Sequence, residues 1–188
     1  MIAAMRAFSV SAVLIFTAFA GPALGQTMEF GCPSPGTTIS FDSGTRLVSS
    51  GQDGMDCKME TADGKSFKVR GLLISSVSPD GGDNSAFIAA LKPERLWPLK
   101  VGNKIEASYS VGGKTWTYIL AVARQEKKAG PGGALLDTFL VEMNEQGDGG
   151  FRSVSRWWIS PEKKYFIQFD ASNSTGTSNR AVVTEIKP

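Results

Sequence analysis

The chain contains no histidine. That absence removes Ser-His-Asp and Cys-His nucleophilic catalysis, the usual general acid and base, and nearly all transition-metal sites. Cysteine is almost as scarce, with only Cys32 and Cys57 present. No Cys-x-x-Cys spacing marks a redox pair, and without histidine the two sulfurs lack the partners of a metal centre. Excess charge is missing too: 20 basic residues face 18 acidic ones, which argues against a large nucleic-acid footprint or strong electrostatic attachment to a membrane. Finally, the longest apolar run is too short to span a bilayer comfortably.

That run is informative for another reason. Arg6 precedes an uncharged stretch, residues 7–20 (AFSVSAVLIFTAFA), followed by Gly21-Pro22 and then Ala23-Leu24-Gly25. A basic start, a short apolar segment and small residues at −3 and −1 read as a secretory signal peptide over residues 1–25, cut before Gln26. Cleavage after Ala20 also satisfies the small-residue rule. Leu24-Gly25 resembles a lipoprotein signal, but Gln26 stands where the acylated cysteine would have to be. The expected product is residues 26–188, a single soluble β-rich domain, periplasmic or secreted, with no transmembrane segment after cleavage. In an oxidising compartment an isolated cysteine pair forms a disulfide, so Cys32 and Cys57 are expected to be joined.

The pattern of the mature chain is β. Short strands are expected at Thr37–Phe41, Arg46–Ser50 and Cys57–Thr61, then a continuous one over Ser66–Val77 after the turn Ala62-Asp63-Gly64-Lys65. Asp83 or Asn84 can cap one short helix running to Leu91, with Phe87, Ile88 and Leu91 on one face. Pro93 and Pro98 fence a connection carrying Leu96, Trp97 and Leu99. Lys104–Val111 alternates cleanly, and Gly112-Gly113 signals a two-residue hairpin turn into Thr115–Arg124. Lys127–Ala134 reads as a loop, strands follow at Leu136–Asn144, Arg152–Ser160, Tyr165–Asp170 and Ala181–Ile186, and Ser172–Asn179 reads as a polar, mobile loop. The expected fold is mainly β, one antiparallel domain (curled sheet, half-barrel or sandwich) with one short helix.

Several strands are apolar on both faces, which an antiparallel sheet with one wet face would not be. Trp116, Tyr118, Leu120 and Val122 lie on one parity, Ile119, Ala121 and Ala123 on the other. Trp158 and Val154 oppose Trp157 and Ile159, and Tyr165, Ile167 and Phe169 oppose Phe166. Three arrangements account for this: a second face covered by the helix and the Leu96–Leu99 connection, a curled sheet enclosing an apolar pocket, or an exposed patch that docks a partner. The candidate lining residues are Trp116, Tyr118, Trp157, Trp158 and Phe166, against the ordinary-core reading that each of them taken singly favours.

Motifs for chemistry are weak. Gly113-Lys114-Thr115 looks like the end of a phosphate loop, but the required earlier glycine would fall at Ser108 and no helix follows. Carboxylate pairs occur at Asp53/Asp56, Asp80/Asp83 and Glu142/Glu145; the first two sit in Gly-rich turns, and the third should point to opposite faces of a strand. Asp80, Asp83 and Asn84 cluster hard oxygen ligands of the kind calcium takes. Asn173-Ser174-Thr175 matches a glycosylation sequon, a match that means little in a bacterial exported protein. No cofactor and no catalytic residue is assigned.

The run Ala129–Glu142 followed by Trp157-Trp158-Ile159-Ser160-Pro161-Glu162 resembles a hairpin pattern of uncharacterised exported bacterial β-rich proteins. The match rests on Gly133, Asp137, Thr138, Phe139, Trp157, Trp158, Ser160, Pro161 and Glu162, and extends over about residues 96–186. It departs at Lys163-Lys164, where glycine commonly follows the turn, and in the longer stretch around Gly130–Leu136. The resemblance implies an exported β-rich module, of the lipoprotein-carrier half-barrel kind, and no catalytic residues. The functional expectation is a non-catalytic binding module for an apolar small molecule or a cell-envelope protein. The alternatives are an accessory subunit or inhibitor of a larger exported protein, and a carboxylate-dependent envelope hydrolase.

Overall fold

The structure, a computed structural model, describes residues 25–78 and 84–188. The leader expected over residues 1–25 therefore lies almost wholly outside the described residues, as do Asp80 and Asp83.

The chain opens with five short strands: β1 (Thr38–Phe41), β2 (Arg46–Asp53), β3 (Asp56–Thr61), β4 (Ser66–Arg70) and β5 (Leu73–Ser78). Helix α1 (Ser85–Leu91) and a 3-10 turn (Pro93–Leu96) lead to longer strands: β6 (Lys104–Val111), β7 (Lys114–Ala129), β8 (Leu135–Gly147), β9 (Arg152–Ser160), β10 (Tyr165–Asn173) and β11 (Ser178–Lys187). All eleven join one antiparallel sheet in the order β5-β4-β3-β2-β1-β11-β10-β9-β8-β7-β6, which is not closed into a barrel.

Two meanders are joined where the first strand meets the last. Residues 178–182 of β11 pair with β10, and residues 183–187 pair with β1. The ladder shifts between Ser40 and Phe41, just where β1 hands over. There Asp42 takes a strand's place: its N–H donates to the Val182 carbonyl at 2.9 Å, and its carboxylate accepts from the Val182 N–H at 3.0 Å. Bulges of this kind bend a strand and raise its local twist.

Helix α1 lies between the two free edges, packing on β6 and β5. Ile88 and Leu91 are buried, and Phe87 meets the rings of Tyr109 and Tyr118. Asn84 stands at the N-cap but makes no capping bond. Its amide donates instead to the Ile74 carbonyl, and its N–H to that of Ser75, which ties the helix start to β5. The N-terminal strap is anchored by reciprocal Met28–Leu99 backbone bonds, by Phe30 against Trp97, and by the Cys32–Cys57 disulfide to β3.

Four local expectations are corrected. Ser66–Val77 is two strands, because Gly71 turns the chain at a φ of 62° and Arg70 pairs directly with Leu73. Lys127–Ala129 is strand rather than loop, because the Gly-Pro-Gly-Gly turn needs only residues 130–134. Half of Ser172–Asn179 is also strand, with the turn confined to residues 174–177: Ala171 pairs with Asn179 and Ser172 with Ser178. Phe166 and Phe169 share a face, because a bulge between Phe166 and Gln168 makes Ile167 an extra residue and inverts the parity.

The two-faced apolar strands resolve into two covers. On the concave face, α1, the 3-10 turn and Leu99 pack on Tyr118, Leu120, Val122, Phe139 and Val141. On the convex face a smaller cluster of Leu136, Leu140, Trp158 and Ile167 forms. The helix covers only the first. The second is served by the β7–β8 arm, whose turn reaches β11. A ladder shift between Val122 and Arg124 inverts β7, so Glu126 and Lys128 share Trp158's face: the Trp158 indole N–H donates to Glu126, and Lys128 Nζ stands 4.0 Å over the ring.

Replacing Cys32 and Cys57 together by serine releases a loop of intermediate length. It is expected to lower unfolding free energy by about 2–4 kcal/mol, read as a lower urea midpoint with the far-UV spectrum retained.

Candidate functional site

The bend at β11 leaves apolar side chains on the concave face uncovered. They line a cleft of about 500 Å³. One side is built by Trp157, Phe166, Phe169 and Ala181 from β9, β10 and β11, the other by Phe41, Leu47, Phe67 and Val69 from β1, β2 and β4. Leu72, Leu73 and Ile74 at the β4–β5 turn and Phe87 of α1 complete the lining, with Ser43, Thr45, Thr61 and Asn84 as polar members. No charged side chain lines it. Its size and apolarity are those of small-molecule sites.

The aromatic side is a connected array. The Tyr165 and Phe166 rings stack with centroids 4.5 Å apart, Phe166 meets Phe41 at 5.9 Å, and Phe169 meets Trp157 at 5.3 Å. Phe166 touches the cores of both halves of the sheet.

The five sequence-derived lining candidates fall in three places. Trp157 and Phe166 line the cleft. Trp116 and Tyr118 lie elsewhere on the concave face: Trp116 stacks edge-on with Phe151 and over Gly147, and buried Tyr118 packs on Phe87. Trp158 is on the opposite face under the β7–β8 arm. Sequence reasoning missed Phe41, Leu47, Phe67, Val69, Tyr165 and Phe169. Alternation in the early strands marks the first four as inward-facing, but only the meeting of β1 with β11 brings them opposite β10.

The acidic pairs do not converge. Asp53 pairs with Lys58, and Asp56 holds Arg70 through two bonds of 2.8 Å. Glu142 pairs with Arg156 on the convex face, next to Asp170 and Arg180 in register across β8–β11. Glu145 faces the other way. Burial there pushes its carboxyl above the usual range, against weaker opposing effects of hydrogen bonds from Tyr118 and Ser153. Among the described residues no group of three or more acidic or cysteine side chains is arranged to hold a metal ion.

The fold and site together define an open antiparallel sheet with a helix against its edges and an apolar cleft at its bend. Neither a protein-family model nor a curated protein matches the chain. Among solved structures, the chain is similar to the hypothetical lipoprotein YmcC from Escherichia coli K12, at 10% identity over 81% of this chain and 84% of that one, with a TM-score of 0.49. So loose a likeness leaves the site to be read from its own geometry.

Two outcomes follow from these placements. Trp158→Ala is expected to cost about 3–5 kcal/mol of stability, as large-to-small changes in a core do, while leaving the cleft intact, measured by denaturation alongside ligand binding. Glu145→Gln tests the raised carboxyl pKa. A carboxyl whose folded pKa exceeds its unfolded value gives its full stabilisation below the unfolded pKa and loses it as pH rises through the folded one. The variant should therefore melt above the wild type at neutral pH, with the two converging below about pH 4, near the unperturbed carboxylate range.

Proposed function

We propose that the protein is an exported, non-catalytic binding module that accommodates an apolar ligand in the cleft between β10 and the β1–β4 half of the sheet. The observation that carries this reading is the cleft itself: about 500 Å³, aromatic along one side and free of charged lining groups. A packed core would have filled that volume, since interiors leave few voids larger than a water molecule. The apolar surface left there supplies the affinity, at about 25 cal/mol for each Å² removed from water, and the few polar members orient the ligand.

The address supports the same reading. A leader-like N-terminus and a disulfide fit an oxidising compartment, periplasmic or extracellular. Among the described residues no helix is long and apolar enough to cross a membrane.

The test is native mass spectrometry of protein purified from its own host, with organic extraction of bound material, beside the variant Ala181→Trp. Ala181 lines the cleft, so a bulky ring there fills the volume. The expected result is a reproducible extra mass of small-molecule or lipid size on the wild type that the variant lacks at unchanged melting temperature. A protein-sized partner retained equally by both would instead favour an accessory subunit or inhibitor.

A further inference from the structure

Beside the cleft, where the β4–β5 turn meets the start of β10, lies a void of about 30 Å³ that shares Val69, Leu72, Tyr165 and Phe166 with it. One cation borders this void, Lys164. Lys164 closes the β9–β10 turn in the left-handed region, at a φ of 51°, where glycine is the low-strain choice. The other described non-glycine residue with a positive φ, Lys92, is the C-cap of α1, an ordinary place for that conformation. Of the two lysines in the β9–β10 turn, Lys163 binds Glu162 at 2.6 Å, whereas Lys164 has no ion-pair partner among the described residues. Its stem lies against the N-terminal strap at Gly31, where a Cβ would stand 3.3 Å from Lys164 Cδ. Glycine in the strap leaves room for that stem.

We propose that the ligand is an amphiphile with a carboxylate, which pairs with Lys164 at this end while the apolar body fills the cleft. This rests on the binding-module reading and specifies its ligand class. The lining of the cleft is uncharged, and that of the void holds a single charged side chain, a cation. Lys164 is exposed, so its ammonium is reached without unpacking the core. An ammonium only donates and a carboxylate only accepts, and the charged pair bonds more strongly than two neutral groups. A cationic head would be repelled, and a hydrocarbon or an alcohol leaves the ammonium without a counter-charge. The void admits only a small group, which favours a carboxylate over a bulkier phosphodiester head.

The experiment measures the calorimetric affinities of decanoate and its neutral counterpart decanol at neutral pH, where the acid is ionised. Wild-type protein should bind decanoate about tenfold more tightly, the scale of one charge-assisted hydrogen bond. Lys164→Gln should abolish that preference and leave decanol affinity unchanged. Lys164→Gly, which suits the left-handed backbone, should do the same and guards against a folding effect. Lys163→Gln removes a charge of the same sign one residue away and should change neither affinity. Ala181→Trp should weaken both probes alike. Equal affinity of the wild type for both probes, or a preference for decanoate that survives both Lys164 variants, overturns this proposal while the cleft reading stands. A ligand extracted from the native protein that carries no carboxylate overturns it as well. If neither probe binds and Ala181→Trp changes nothing in the mass spectrum, the cleft reading itself fails, and this proposal with it.

Discussion

Everything distinctive about the molecule follows from the pairing of β1 with β11. The two strands are separated by nearly the whole of the described chain, and β11 must serve two neighbours along its length. It does so by changing partner at Val182–Val183, with Asp42 substituting for a strand at the changeover. A flat sheet would hold all its strands in one register. Here the change of partner, with a bulge beside it, turns one half of the sheet relative to the other. The two halves keep separate cores that meet at Phe166, and the cleft lies along that seam.

The remaining architecture deals with apolar surface that a single sheet cannot bury. An open sheet of this size has two faces and two free edges, and free edges invite pairing with other chains. Helix α1 sits against both edges and covers one end of the concave face. The long β7–β8 hairpin, inverted by its bulge, gives Trp158 and Ile167 a small core on the convex face. Beyond that cluster the convex face carries the cross-strand series Glu142, Arg156, Asp170 and Arg180, whose alternating signs suit neighbouring positions on a wet surface. What stays apolar and uncovered is the seam. The binding proposal concerns that one place, where packing is incomplete.

Much of the local structure is legible in the residues. The Gly112-Gly113 turn, the helix ending at Leu91 and most strands stand where alternation and turn chemistry put them. Apolar residues on both parities leave three arrangements open, and the structure packs side chains on both faces. Reading fails at the bulges. Ala123 and Ile167 each add one residue to a strand, and because the side-chain period is two, each inserts a switch of face that hydrophobic pattern does not reveal. For the same reason Phe169 joins Phe166 at the cleft, whereas Trp158 ends on the far side from Trp157 by simple alternation.

The amino-acid sequence by itself determined the class of structure: a β-rich, histidine-free chain with one short helix and one disulfide, because periodicity, turn residues and cysteine count are local properties. Tertiary structure alone decided which aromatics face a cavity. That outcome depends on strand order, on the change of partner along β11 and on bulge positions. These are set by long-range pairing free energy, which no window of neighbouring residues contains.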